Sequence, residues 1–508
     1  MTENNENRER VSAVLVIFGG TGDLTRRKLM PALYNLVHDN LLPDSFAVVS
    51  IGRRDKTTEQ YRENMYGALQ QFSRNKIDDA LWEKLRGLIY YYQCDFTNFS
   101  ACGEFEAFLS GVEEKHGTGG NRIFYLAVAP EHFETIVQGL QEARLAEQRA
   151  GFWARLVIEK PFGKDLTTAR RLNEKLLEAF PEKNIFRIDH YLGKEMIQNI
   201  MVLRFGNSVF ESLWSNKYID NVQISLTERD GVGTRGGYYE SSGAMRDMVQ
   251  NHVIQILTLV AMEPPVNLHT DSIRTERLKV IQALEEMTPE LLRDNVVFGQ
   301  YGKGYIGGLP VPGYREEENV DPKSGAETFV ALKLQINNFR WADTPFYVRT
   351  GKRLTSAGAQ IVIQFKTLPR ILYFEGDRVQ EPNLLIIRIQ PNVGVFFQFN
   401  TKDMQSAQND VIATKMDTSA QVMSQGNTPE AYERLLYDVM RGDSTLFTRW
   451  DAVEAAWVFA DKIIQHRGQD IAHFPNYDAG SMGPIRAFEM LARDGRKWWD
   501  VGYEEDEE

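Results

Sequence analysis

Two short segments concentrate side chains suited to acid–base and anion chemistry. One is Glu159-Lys160-Pro161-Phe162-Gly163. The other runs from Arg187 to Glu195 and reads RIDHYLGKE. Together they offer Lys160, Asp189, His190, Tyr191 and Lys194 at the ends of two apolar runs. Lysine, histidine and tyrosine donors can hold a dianionic phosphate, since charge-assisted hydrogen bonds are the strong ones. A histidine oriented by a carboxylate can take and return a proton near neutral pH. Residue types alone leave a structural reading of this set equally open.

A third segment, Gly19-Gly20-Thr21-Gly22-Asp23-Leu24, follows the apolar run Ala13 to Phe18. Glycines there allow a sharp strand-to-helix turn and a close approach to a pyrophosphate, which the helix N-terminus favours. The pattern departs from GxGxxG, because Thr25 stands where the third glycine, counted from Gly20, would be. Thr21, Asp23 and Thr25 are candidate N-caps, and Pro31 should mark a first turn or a kink. The next apolar run, Phe46 to Ile51, ends in Gly52-Arg53-Arg54 rather than in an acid. An acid there would bond a ribose 2′-hydroxyl, whereas a guanidinium suits a 2′-phosphate. The pair of features favours NADP over NAD, leaving secondary use of NAD open.

The elements that must position these residues follow from hydrophobic patterning. Apolar runs at Ala13 to Phe18, Phe46 to Ile51, Leu88 to Tyr92, Arg122 to Val128, Arg155 to Ile158 and Asn184 to Ile188 alternate with helix-like stretches. That alternation predicts βαβ units and a parallel sheet of the Rossmann type, buried on both faces. The two reactive segments would lie at carboxyl ends of its strands, where α/β sheets bind ligands. Beyond about residue 200, Phe329 to Ile336, Gln360 to Phe365 and Asn383 to Gln390 alternate apolar and polar residues. Period two predicts a mainly antiparallel sheet in a larger α+β domain. Helices are expected over Ala244 to Met262 and Pro429 to Gln465. The domains are therefore expected at 1–195 and 196–508. On an α-helix, His252 would share a face with Val249, Ile256 and Leu259, the pattern of a core histidine.

Composition bounds the rest. A length of 508 residues predicts two domains, and the net charge of −12 argues against a nucleic-acid partner. Five acids, Glu504 to Glu508, form a tail expected to be solvated and disordered. No apolar stretch approaches the ~18 residues of a membrane span. Cys94 and Cys102 are the only cysteines and form no metal-ligand spacing, so no metal is expected. The cysteine usage fits a reducing cytoplasm, and a disulfide between the two is left open.

Longer strings carry a family resemblance. GGTGDLTRRKL, FYLAVAP, EKPFG, RIDHYLGKE and MRDMVQNHVIQ closely resemble glucose-6-phosphate dehydrogenase of the bacterial type, as do YREE from Tyr314, ETF from Glu327, YVRTGK from Tyr347 and IRIQP from Ile387. They occur in family order between residue 15 and about 450. The resemblance implies oxidation of D-glucose 6-phosphate at C1 to 6-phospho-D-glucono-1,5-lactone with NADP, the first step of the oxidative pentose phosphate pathway. It makes His252 the general base and Asp189 the acceptor that orients it. His190, Tyr191 and Lys194 then match residues holding the 6-phosphate, and Lys160 lies between cofactor and sugar. Glu228, Asp247, Lys352 and Gln390 match groups bonding sugar hydroxyls or phosphate. Gly19, Gly20, Thr21, Gly22, Asp23, Leu24, Arg53, Tyr125 and Asp95 match the cofactor side. A homodimer or homotetramer in the cytoplasm is implied in the same way.

Two departures stand out. Where some relatives carry a second cation five positions after the lysine of the GK pair, this chain has Ala357, so that sugar or phosphate contact is absent or supplied by Arg353. Where other relatives bind a structural NADP with basic residues, it has Gly358 and Val362, so no structural NADP is expected. A short-chain dehydrogenase would need a tyrosine with lysine four residues on, and no tyrosine here has one. A non-enzymatic NADP sensor would need the glycine loop and Arg53 but neither Asp189 nor His252.

Overall fold

The computed structural model describes residues 11–97, 102–147, 151–369, 371–374, 381–406, 410–419 and 427–502. The acidic tail Glu504 to Glu508 lies outside them. The chain forms two compact units. The first takes in 1–194, 266–274 and 427–454, and the second 195–265, 275–426 and 455–508.

The first unit is built on a six-stranded parallel sheet. Its strands are β1 (Ala13–Phe18), β2 (Phe46–Gly52), β3 (Ile89–Gln93), β4 (Arg122–Leu126), β5 (Ala154–Ile158) and β6 (Ile185–Arg187), in the order β3-β2-β1-β4-β5-β6. This is the doubly wound dinucleotide-binding order, with the strand order reversing at β1 and β4. Every residue of β1 and β2 is buried, because helices cover both faces. Helix starts are set by local chemistry. Thr57 and Gln60 form a capping box before Thr58–Phe72, and Asp165 and Thr168 form another before Leu166–Ala179.

Two segments assigned to the second domain by contiguity belong to this unit instead. The helix Ala431–Arg441 packs on Met30–His38. Its buried Glu433 accepts from Asn35 Nδ2 at 2.9 Å and from Arg74 Nε at 2.8 Å. Leu435, Leu436, Val439 and Met440 join the same apolar core as β1 and β2. Amphipathic spacing reveals that such a face exists and says nothing of which core receives it. The expected single helix over 429–465 is broken at Gly442, whose φ of +78° ends the first helix. After the break Phe447 bridges back to Ile188.

The second unit holds an eight-stranded mixed sheet: β7 (Ile219–Thr227), β8 (Val296–Gly299), β9 (Phe329–Leu334), β10 (Phe346–Gly351), β11 (Gly358–Phe365), β12 (Leu384–Gln390), β13 (Gly394–Lys402) and β14 (Val411–Asp417). They run in the order β14-β13-β12-β11-β7-β10-β9-β8. All neighbours are antiparallel except β7 and β10. The helix expected over Ala244 to Met262 is π-helical over Met245–Val253 and α-helical only from Ile254 to Ala261. Bonding from i to i+5 widens the turn, so α-spacing from Val249 does not set the direction of His252.

Cys94 and Cys102 form a disulfide, with their Cα atoms 5.6 Å apart. Among the described residues no helix is long and apolar enough to cross a membrane.

Candidate functional site

The glycine loop turns the chain out of β1. Gly19 and Gly20 donate their N–H groups to the carbonyl of Ile51 at 3.1 and 2.8 Å. Gly19 has φ +86°, and a Cβ there would lie 2.2 Å from the Ala127 carbonyl oxygen. Only glycine is compatible with that position. None of the three candidate caps closes the helix start: the π-helical turn Thr25–Leu29 has no side-chain cap. Thr25 Oγ1 donates to the Gly19 carbonyl at 3.1 Å, bracing the loop, and Asp23 pairs with Arg27 at 2.9 Å. Pro31 sits at the change from π to α geometry.

Beside the loop opens a cavity of about 360 Å³ lined by Thr21, Arg26, Arg54, Lys56 and Asn64. Three cations at the carboxyl ends of β1 and β2 fit the phosphate end of a dinucleotide. Arg53 is exposed beside it, and its charge helps to lower the pKa of Asp95, after the hydrogen bonds from Thr97. Asp95 directly follows Cys94, whose N–H donates to the Gly52 carbonyl at 3.0 Å. Sequence reasoning singled out Arg53 but gave no role to Arg26, which lies within the quoted string GGTGDLTRRKL, or to Lys56, which no motif marks.

The carboxyl ends of β4, β5 and β6 carry the second group. Tyr125 is fully buried, and its hydroxyl donates to Glu159 Oε1 at 2.6 Å. Tyr432, on the helix Ala431–Arg441, donates to the same oxygen at 3.1 Å. Burial raises the Glu159 pKa, and the two tyrosine hydrogen bonds and Lys160 oppose that rise while Asp189 adds to it. Lys160 precedes a cis proline. Glu159 lay within a quoted string without a role, and nothing in the sequence pairs it with Tyr432. After β6 the chain folds back on itself: Tyr191 N–H donates to Asp189 Oδ1 at 2.9 Å, and Lys194 N–H donates to the Tyr191 carbonyl at 3.0 Å. Asp189 is only 3% exposed. His190 and Tyr191 have ring centroids 5.0 Å apart, and the Lys194 ammonium lies 4.2 Å from the Tyr191 ring centroid. Burial pushes the Lys194 pKa down to about 8, against the pull of Asp189 and with a small push from Lys28.

The second unit gathers a further set at one end of its sheet. Glu228 follows β7 and Lys352 follows β10, and the two side chains form an ion pair. Lys352 Nζ also lies 5.2 Å from the ring centroid of Tyr239. Tyr238 donates to Asp247 Oδ1 at 3.3 Å. Burial lifts the Tyr239 pKa well above its ordinary value, and the charges of Asp247, Glu228 and Glu327 add to the shift. Asp247 and His252 both ride on the π-helix, and His252 is 1% exposed. Gln390 is exposed at the end of β12, which lies two strands from β7 and hence about 10 Å away. Arg353 is held by Glu317 at 3.0 Å. Ala357 lines a separate cavity of about 740 Å³ with Arg229, Gln360, Arg388, Lys415 and Trp499.

Residues 16–199 match the model of the glucose-6-phosphate dehydrogenase NAD binding domain, and residues 201–499 that of the C-terminal domain of the same family. The chain belongs to the glucose-6-phosphate dehydrogenase family. The glucose-6-phosphate 1-dehydrogenase of Bacillus subtilis (strain 168) is 44% identical, over 98% of this chain and all of that protein. The enzyme of Chlamydia pneumoniae is also 44% identical, over 97% of each chain. Among solved structures, a glucose-6-phosphate dehydrogenase in complex with its substrate glucose-6-phosphate superposes with a TM-score of 0.87 at 32% identity, covering 97% of this chain and 99% of that one. The family is one of oxidoreductases with a nicotinamide dinucleotide domain, and both of its domains are present here in full order.

Proposed function

We propose that this chain oxidises D-glucose 6-phosphate at C1 to 6-phospho-D-glucono-1,5-lactone with hydride transfer to NADP, the first step of the oxidative pentose phosphate pathway. The observation that carries the reading is the near-complete match, across both domains, to relatives of that name and to a substrate complex. Cofactor reduction followed by absorbance tests it. Glucose 6-phosphate with NADP should give rapid turnover, and unphosphorylated glucose almost none. Equal rates with both sugars would overturn the reading.

His252 is assigned as the base that takes the C1 hydroxyl proton, and Asp189 as the acceptor that orients it and stabilises the imidazolium. His190, Tyr191 and Lys194 hold the 6-phosphate, with Lys160 towards the cofactor. The tight turn that places Tyr191 and Lys194 beside each other supports a shared phosphate. Glu228, Asp247 and Lys352 bond sugar hydroxyls or phosphate, and Gln390 is retained only as an outer contact.

The dinucleotide would rest on the loop Gly19 to Leu24 with Arg53, Asp95 and Tyr125, and when bound it supplies the hydride acceptor. Tyr125 acts from behind through Glu159, because its hydroxyl is already committed. NADP is proposed over NAD on the charges of Arg53, Arg54 and Lys56. Arg53→Ala should lower the ratio of kcat/KM for NADP to that for NAD by roughly tenfold or more, the worth of one charge-assisted hydrogen bond. A preference unchanged in that variant would discard the role of Arg53.

We propose no metal, the two cysteines being joined in a disulfide, and no structural second dinucleotide, since Gly358 and Val362 carry no charge. The cations of the 740 Å³ cavity make this worth checking. Heat-denatured protein should release no dinucleotide into the supernatant. A cytoplasmic homodimer or homotetramer completes the proposal, supported by apolar Ile412 and Met416 exposed on the edge strand β14.

A further inference from the structure

The helical run that carries Asp247 and His252 has an unusual start. Gly243 has φ +62° and ψ 175°, outside helical geometry, and the π-helix follows from Met245. The cause is a buried carboxylate. Glu327, fully buried just before β9, lies against Gly243 so closely that a Cβ there would sit 2.3 Å from its Oε1. The Glu327 main-chain carbonyl accepts from Ala244 N–H at 2.9 Å. Its Oε1 accepts from Met245 N–H at 3.3 Å, and its Oε2 from Arg467 Nη1 at 3.0 Å.

One residue thus satisfies two N–H groups that a helix start leaves without partners. Its negative charge also faces the positive end of the helix dipole. Burial raises the Glu327 pKa, while Arg467, its own N–H, the Met245 N–H and Arg246 hold it down. Tyr239, the other titratable group facing it, is itself kept neutral by burial. The sugar and cofactor contacts proposed above do not include Glu327 or Arg467.

We propose that Glu327 and Arg467 are positioning residues, an ion pair with a fully buried carboxylate that fixes the start of the π-helix and so the direction in which Asp247 and His252 point. The π geometry is rare and usually confined to a single turn, so with its start freed the run is expected to shift towards α-spacing. Such a change of register turns Asp247 and His252 by different amounts, since they stand five residues apart. A displacement of about 1 Å at a reacting group can cost about 10²-fold in rate. The proposal rests on His252 being the base.

The test uses the full-length protein with Glu327→Gln, Arg467→Met and Arg467→Lys, beside His252→Asn. Glu327→Gln keeps an oxygen for the Met245 N–H and leaves a guanidinium that is 32% exposed without its counter-charge. Arg467→Met leaves the fully buried Glu327 carboxylate without its counter-charge and can fail to fold, so Glu327→Gln, which should lower kcat likewise, is the second probe. Arg467→Met should lower kcat by roughly 10–10²-fold and raise KM for the sugar phosphate. Binding of NADP, held by the other unit, should be unchanged. Arg467→Lys, which keeps the charge, should recover most of the lost rate. A normal kcat in Arg467→Met, no recovery in Arg467→Lys, or NADP binding lost in step with rate would each overturn the proposal. If His252→Asn is inactive beside a normal Arg467→Met, the positioning role alone fails. If His252→Asn is active, the base assignment fails and the proposal falls with it.

Discussion

Replacing His252 by asparagine should lower kcat by at least about 10²-fold, the usual contribution of a positioned acid–base group. Asparagine keeps much of the shape and a hydrogen-bonding end, so the helix Met245–Val253 is expected to hold. Its amide cannot accept a proton, so the C1 hydroxyl must lose its proton to water. The sugar-phosphate affinity should be nearly intact, because the phosphate is assigned to His190, Tyr191 and Lys194 in the other unit. Steady-state kinetics with a parallel calorimetric dissociation constant separates the two effects. An unimpaired rate would remove His252 from the mechanism. Loss of binding equal to the loss of rate would make it a substrate contact instead.

The second large effect concerns Lys194 and pH. Burial lowers its pKa to about 8, so the side chain is a cation below that pH and neutral above it. The phosphate needs the cation. Affinity for the sugar phosphate should therefore fall as pH rises through about 8, appearing in kcat/KM, which reports the free enzyme. A lost charge-assisted hydrogen bond is worth about 1.5–3 kcal/mol, or roughly 10–10²-fold. Bound phosphate stabilises the ammonium, so kcat itself should change much less. Lys194→Arg should abolish the alkaline fall, because a guanidinium stays charged. Lys194→Met should raise KM below about pH 8, where the wild-type side chain is charged, and leave no inflection near 8. An inflection that persists in Lys194→Met would belong to another group.

The parts of the fold that sequence displays are those governed by short periods. Six apolar runs became six parallel strands, because strands buried on both faces admit little but apolar residues. Alternation at Phe329, Gln360 and Asn383 marked three strands of the large sheet, β9, β11 and β12, although these are buried over most of their length and not on one face alone. What failed were readings that depend on distant partners. The helix Ala431–Arg441 joined the first unit through Glu433, Asn35 and Arg74, an arrangement set by contacts about 400 residues apart. The π-helix under His252 was hidden, because its sequence is equally good α-helix until Glu327 fixes its start. Glu159 was visible only as part of a string, since its significance lies in Tyr125 and Tyr432, one of them 273 residues away. The site strings themselves were legible because chemistry constrains several adjacent residues at once, as at Asp189 to Lys194.

The most direct test of the central claim follows the transferred atom. Glucose 6-phosphate carrying deuterium at C1 is incubated with NADP and the enzyme, and the reduced cofactor is analysed by mass spectrometry. Transfer of hydride from C1 predicts one deuterium in each NADPH formed, together with a slower chemical step than with the unlabelled sugar. NADPH of ordinary mass, formed while the label goes to water or stays in the product, would contradict it.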